Sequence, residues 1–424
     1  MATDVGVQYF SHLNGLTLGN NWGDLIRLLD KALVTGIDFT QITAASIDAQ
    51  GDVHITLYAA HNAMLFQVVE LSGFAPASLN QKYRIKGVPS TTQLILKPQN
   101  EITERTVTTV GVGKLASLGY DIIFRDTNDV KRVYRAKNPR AEHPFIRVDE
   151  SLTSSDGVTG VYSSAYNKYA IVGLLERMEH IDDYANPDVT QLPFDPSNPA
   201  KNWDIVGTEG NVVRGWSRWY YASRGNVNYT YADTGAPENG NRPFTMVGNS
   251  GSFLINRNTI SELAPKSLIG CGLFRSTDSD EAQPWFLATC LNNQAAWVSR
   301  SLMDDVGGLA IWGGGSASSA KLLMLKSGQI QPEAHVTATP IVPDSRTGYT
   351  GIYNGSAFSA LEVPFFDQNK VLRGVIPHTC YLGVNFASRT ETYPYLSGSS
   401  MYVIDSVQTD SPIGATAFYL GELE

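Results

Sequence analysis

Four acidic residues within eight positions, Glu176, Glu179, Asp182 and Asp183, are the densest chemical grouping in the chain, and Asp149-Glu150 closes a nearby apolar run. Paired carboxyls run glycoside hydrolysis when they stand about 5 Å or about 6.5–9.5 Å apart. Clustered oxygens also suit a hard cation. A solvated acidic loop needs neither, and is the plainer reading. The second grouping is aromatic: Trp216, Trp219, Tyr220 and Tyr221, followed by Tyr229 and Tyr231. Strand side chains alternate faces, so Trp219-Tyr220-Tyr221 is expected to turn at least one ring away from the core. Such rings stack on sugars or anchor a protein interface. These six residues are the candidate interface or glycan contacts.

Other motifs lead to no chemistry. Gly248-Asn-Ser-Gly-Ser252 is too short for a serine nucleophile motif and reads as a hairpin turn. The glycine-rich run from Gly313 to Lys321 lacks the Gly-Lys-Ser/Thr of a phosphate loop and reads as a turn. His54, His61, His143 and His180 show no zinc spacing. Cys271, Cys290 and Cys380 are too few for a disulfide framework and read as buried free thiols. No catalytic residue, cofactor ligand or metal ligand is assigned.

The elements that would position these groups are mostly strands. One helix is predicted: Asn20 and Asn21 offer caps, and Gly36 stops the run. Between them Leu25, Ile26, Leu28, Leu29, Ala32 and Leu33 recur at helical spacing. Asp24 and Lys31 suit the helix dipole. Leu25, Leu28, Leu29 and Leu33 form a stripe for the core or for anchoring an assembly. Residues 1–44 are taken as an N-terminal helical segment and 45–113 as a small β-barrel or sandwich module. The rest, 114–424, is taken as a larger antiparallel β-sandwich domain with long loops, the longest at 183–203 and 224–242. Strands are expected at 121–125, 130–135, 145–149, 217–222, 244–247, 252–256, 285–291, 321–325, 371–376 and 401–405, among others. Tyr169–Met178 fits either a helix or a strand by periodicity. The fold class is mainly β.

Composition removes several functions. The 424 residues carry 32 Lys and Arg against 41 Asp and Glu, a net charge of −9, which argues against nucleic acid as the main partner. No apolar run is long enough to span a membrane, and no signal peptide is visible. Charged residues are 17% of the chain, against about 25% in an average domain. Aromatics reach 10%, the direction in which interface cores depart from ordinary surface.

The order of several landmarks resembles a family of tailed-bacteriophage virion structural proteins. In Gly15–Ile37 the helix with Leu28-Leu29-Asp30, Leu33-Val34 and Gly36 is similar to that family's opening. The turn Ser72-Gly-Phe-Ala-Pro-Ala-Ser-Leu-Asn-Gln-Lys-Tyr83 resembles the next landmark, with Gln81 where glycine is usual. Val133-Tyr-Arg-Ala136, Phe145–Asp149, Glu179-His-Ile-Asp-Asp183, Arg242–Asn249 and Leu372-Arg-Gly-Val-Ile-Pro377 follow in order. The resemblance implies that Tyr169–Met178 is extended. It also implies a non-enzymatic assembly protein of the neck, collar or tail, present in symmetric copies. The expected partners are copies of the chain and other phage structural proteins, in a virion assembled in the bacterial cytoplasm. No catalytic signature comes with it. The alternatives are a host-recognition tail or baseplate protein that binds glycans through Trp216–Tyr231, or a capsid decoration protein. An enzyme reading, a glycan depolymerase, would use the acidic cluster.

Overall fold

The computed structural model describes residues 4–154, 157, 160–207, 212–225, 230–231, 234–291, 300–301, 322–341, 358–383, 386–408 and 414–423. The Gly313–Lys321 run and Tyr229 lie outside them. Among the described residues the chain is mainly β, with a single short α-helix and several antiparallel sheets, one of them curled into a half-barrel.

Three large sheets share the work. The first has seven strands in the order Ile37–Asp38, Val112–Leu115, Val68–Ser72, Lys82–Ser90, Gln93–Pro98, Val53–Leu57 and Ile42–Ile47. Alternation is clean in Val53–Leu57, where Val53, Ile55 and Leu57 face inward. The second sheet runs Cys290–Leu291, Ser217–Ala222, Lys168–Leu175, Phe145–Asp149, Lys131–Ala136 and Tyr120–Arg125, with Gln191–Leu192 alongside Lys168–Leu175. The 169–178 stretch is therefore extended through Leu175, as the resemblance implied, and all eight residues of its strand are buried. The third sheet begins with Gln8–Ser11, Phe244–Gly248, Ser252–Arg257, Ser267–Leu273 and Trp285–Ala288. It continues through Leu322–Met324, Val336–Pro340, Leu361–Asp367 and Leu372–Tyr381 to Gly414–Glu422, Ser400–Val407 and Tyr393–Ser397.

The third sheet curls until its ends meet. Lys266, just before Ser267–Leu273, forms a parallel bridge with Val407, and Gln408 N donates to Lys266 O at 2.6 Å. Asn256 Nδ2 donates to Ser406 O at 3.0 Å, and Asp4 N donates to Glu422 O at 3.3 Å. One hydrophobic cluster takes Tyr9, Val247, Leu254 and Leu268 from one end together with Met401, Val403, Phe418 and Leu420 from the other. The seam is closed by side chains and a few backbone bonds rather than by a strand ladder.

Two pairings involve residues on the N-terminal side of the boundary expected at residue 44. Gln8–Ser11 joins the third sheet against residues 245–248, and Ile42–Ile47 already belongs to the small sheet. The helix is shorter than its stripe suggested. Asp24–Leu29 is α-helical, and Asp30–Thr35 widens into a π-helical turn that ends at Gly36 with φ +74. A Cβ at Gly36 would collide with Leu115 O, so the stop depends on glycine. Asn20 and Asn21 do not cap it with their side chains; Gly23 occupies the N-cap without a side-chain bond of its own.

The candidate assembly stripe is spent inside the chain. Leu25, Leu28, Leu29 and Leu33 are all buried in one cluster with residues of all three sheets, among them Leu71, Leu96, Val172, Trp219 and Ile255. The helix is a wedge between layers, with no apolar face left for another subunit.

Candidate functional site

Two of the acids, Asp149 and Asp182, are ion-paired to one arginine. Arg147 Nη2 donates to Asp182 Oδ1 at 2.6 Å and Nη1 to Asp149 Oδ2 at 3.0 Å, while Nε donates to Ile181 O at 2.6 Å. Lys131 Nζ adds a contact of 2.8 Å to Asp182. The guanidinium is stacked against Trp203 and Tyr184, 4.3 and 4.9 Å from their ring centres. Asp149 and Asp182 are held below the usual carboxylate range by Arg147 and Lys131, which outweigh the opposing effect of burial. Asp183 accepts the Glu179 N–H at 2.8 Å.

Glu150 points the other way, into the core. Its carboxylate accepts Gly23 N–H at 2.5 Å and Ile26 N–H at 3.0 Å, closing the orphan donors at the start of the helix. Tyr221 Oη lies 2.6 Å from Glu150 Oε2 and 2.9 Å from Asn21 O. Complete burial raises the Glu150 carboxyl, partly offset by these bonds.

The aromatic grouping is corrected by the structure. Trp219, Tyr220 and Tyr221 are fully buried and Trp216 is 8% exposed, so none forms a surface patch. Ser217–Ala222 has a layer on each face. Trp219 and Tyr221 enter the cluster around the helix, and Tyr220 enters a separate one with Tyr169, Ile171 and Trp203. Alternation therefore sends the rings into two cores instead of one core and solvent. Trp219 Nε1 donates to Ala288 O at 2.9 Å, and Tyr220 packs 4.7 Å from Tyr169. Trp216 sits against His335 and under Lys201 Nζ at 4.1 Å. Tyr231 lies in a short strand opposite Arg300.

A partly open aromatic surface lies elsewhere, on the terminal hairpin. Tyr395 pairs with Tyr402 across the Ser397–Ser400 turn, and Tyr402 pairs with Tyr419 on the next strand, so the three share a face. Phe358 bridges Tyr395 and Tyr402 at 4.8 and 4.7 Å, Phe386 adds to Tyr395 at 5.4 Å, and Tyr393 continues the row at 6.4 Å. All six rings are half-buried. Arg389 lies 4.4 Å from the Tyr393 ring at one end of the row. At the other, Tyr419 Oη, Ser399 Oγ and Ser400 Oγ each donate to Glu422 at 2.6 Å, lowering its pKa. The sequence signal for this row is Tyr393-Pro-Tyr395 and Tyr402 about a Ser-Gly-Ser turn, a sparser pattern than the Trp216–Tyr221 cluster.

A cavity of about 230 Å³ opens beside Asp278, Asp280, Glu281, Lys326 and Gln329. Its acidic wall is partly spent: Glu281 pairs with the buried Arg373, which also bonds Leu325 O at 2.8 Å. Among the described residues no three His, Cys, Asp or Glu side chains gather as a metal-binding group. No helix among them is long and apolar enough to cross a membrane. Compared with known proteins, the sequence matches no family model, and no curated protein matches it.

Proposed function

We propose that this chain is a structural component of a tailed-bacteriophage virion, an assembly protein of the neck, collar or tail present in symmetric copies. The landmark order supports the family, and one physical observation supports the mechanical role. Buried arginines are used as internal clamps. Arg84 spends all five N–H groups on backbone carbonyls: Asp4 O twice, Val7 O, Phe66 O and Leu420 O, at 2.6–2.9 Å. Arg214 gathers Ser151 O, Tyr169 O and Asp149 O, and Arg242 gathers Thr259 O, Gly240 O and Glu238 O. A planar, permanently charged fork suits this task where an ammonium would not. The Arg84 and Arg214 clamps tie loops to strands and the Arg242 clamp ties loop to loop, which suits a part that transmits load between neighbours.

Mass spectrometry of purified particles tests the reading. The chain should be present in a fixed ratio to the major tail and neck proteins, and electron cryomicroscopy should place it on a symmetry axis or ring. Particles that lack it overturn the proposal.

A second reading is favoured by the aromatic row: recognition of a host glycan, through Tyr393, Tyr395, Tyr402 and Tyr419 in place of the Trp216 segment. Tyrosine rings flanked by a fixed carboxylate and a guanidinium match the mixed apolar and hydroxyl character of a sugar. Binding on a glycan array that is lost in Tyr395→Ser supports it; an unchanged array profile removes it.

A further inference from the structure

At the seam of the curled sheet, Lys266 Nζ lies 2.6 Å from Asp405 Oδ1, with both side chains fully buried. The two residues belong to opposite ends of the sheet. Each reacting group is held from a second side. Thr245 Oγ1 donates to Asp405 Oδ2 at 2.7 Å, and Lys266 Nζ donates to Thr390 O at 2.5 Å. Behind Thr245 the hydroxyls continue, to Thr392 Oγ1 at 2.6 Å and from there to Ser11 Oγ at 2.6 Å.

We propose that Lys266 and Asp405 condense into an intramolecular amide that joins the two ends of the sheet covalently. The step begins with proton transfer from the ammonium to Oδ2 of the carboxylate, which leaves a neutral amine beside a neutral acid. Burial raises the Asp405 carboxyl in this direction, against the pull of Lys266. The Nζ lone pair then forms a bond to Asp405 Cγ. One Nζ proton passes to Oδ2, which already carries the proton taken up by the carboxyl and is hydrogen-bonded to Thr245 Oγ1, and the Cγ–Oδ2 bond breaks with its electron pair leaving on oxygen as water. The amide keeps Oδ1 and one N–H, which retains Thr390 O as its acceptor. The step is a condensation and needs no oxidant or cofactor.

Two features drive it. The amine and the carboxyl group are held in hydrogen-bond contact by the fold, which replaces a bimolecular encounter with a unimolecular one. The product also removes two charges from a site where desolvation opposes them.

Intact mass spectrometry of the full chain after denaturation is the test. The wild type should be one water lighter than its sequence, and trypsin should release residues 258–275 joined to residues 390–424, with Lys266 uncleaved. Lys266→Arg keeps the charge, has no amine able to condense, and should show the full mass. Thr245→Val should accumulate the lighter species more slowly. A wild type at full sequence mass overturns the proposal. So does a lighter chain without the joined peptide, since ring closure at Asp405-Ser406 would lose the same water. The outcome is independent of whether the chain is found in virions.

Discussion

Glu150 and Gly23 are 127 positions apart in sequence, yet the carboxylate of one accepts the backbone N–H of the other at 2.5 Å. The residue that follows strand Phe145–Asp149 of the second sheet thereby caps the only α-helix among the described residues, doing from a distance what a local Ser or Asp usually does. Replacing Glu150 by Gln turns an amide N–H₂ toward one of three donors: Gly23 N, Ile26 N or Tyr221 Oη. Urea denaturation should show a loss of about 1–3 kcal/mol. The native carboxyl is raised, so its contribution is complete below the ordinary value of 4.5 and falls away as pH rises through the native one. That pH-dependent component should be missing in Glu150→Gln.

Arg84→Met would leave four carbonyls without their shared donor, at residues 4, 7, 66 and 420. A loss of at least about 3 kcal/mol is expected, since each orphaned buried group costs roughly 1–3 kcal/mol. Arg84→Lys should recover only part of it, because three donors cannot reach the same set. A midpoint in urea equal to that of the wild type would show that the clamp carries no load.

Lys168 gives a prediction in pH. Its ammonium is buried between Ser164 O, Tyr166 O and the Trp22 ring, and burial, with Arg242 nearby, pushes it down to about 8. The unfolded lysine titrates near 10.5. Between these values the unfolded chain holds a proton that the native one has released, so stability should gain with rising pH. Denaturation at a series of pH values should show the wild type gaining on Lys168→Met across this window. A constant difference would contradict it.

Trp219 and Tyr395 should separate core from surface. Trp219→Ala empties a fully buried site and loses the bond to Ala288 O, for an expected cost of about 3–5 kcal/mol. Tyr395→Ser removes a half-buried ring from the outer row, so its midpoint in urea should move by much less. If the two cost the same, the terminal face is part of the core.

Local pattern was legible where a strand lies between ordinary turns: Phe145–Asp149 and Ser217–Ala222 were read with the bounds the structure has. Ser267–Leu273 was not read, because Gly270 and Gly272 break its apolar run. Those glycines are there because a Cβ at either would collide with the neighbouring strand, at Phe253 O and Gly251 O. Gln81 is accommodated in the Ser72–Tyr83 turn because the left-handed position there falls on Gly73. Pairing was beyond periodicity altogether. Nothing in Gln-Tyr-Phe-Ser specifies residues 245–248 as its neighbours, and nothing in Trp-Tyr-Tyr says that a second layer covers the outer face. The expected outward ring of Trp219-Tyr220-Tyr221 is buried for that reason: aromatic density is visible in a sequence, whereas the number of layers over a strand is not.

The closure of the third sheet also sets an order in time. Gln8–Ser11 is made early, but its partner at residues 245–248 leaves the ribosome more than two hundred residues later. The carbonyl of Leu420 that completes the Arg84 clamp comes later still. During synthesis the first strand therefore waits unpaired, with an open edge that invites association with other chains. Contacts this distant in sequence also slow folding. The body that holds its two ends together so firmly when finished is most exposed just before it is complete, and a chaperone that shields strand edges should raise the yield of soluble chain.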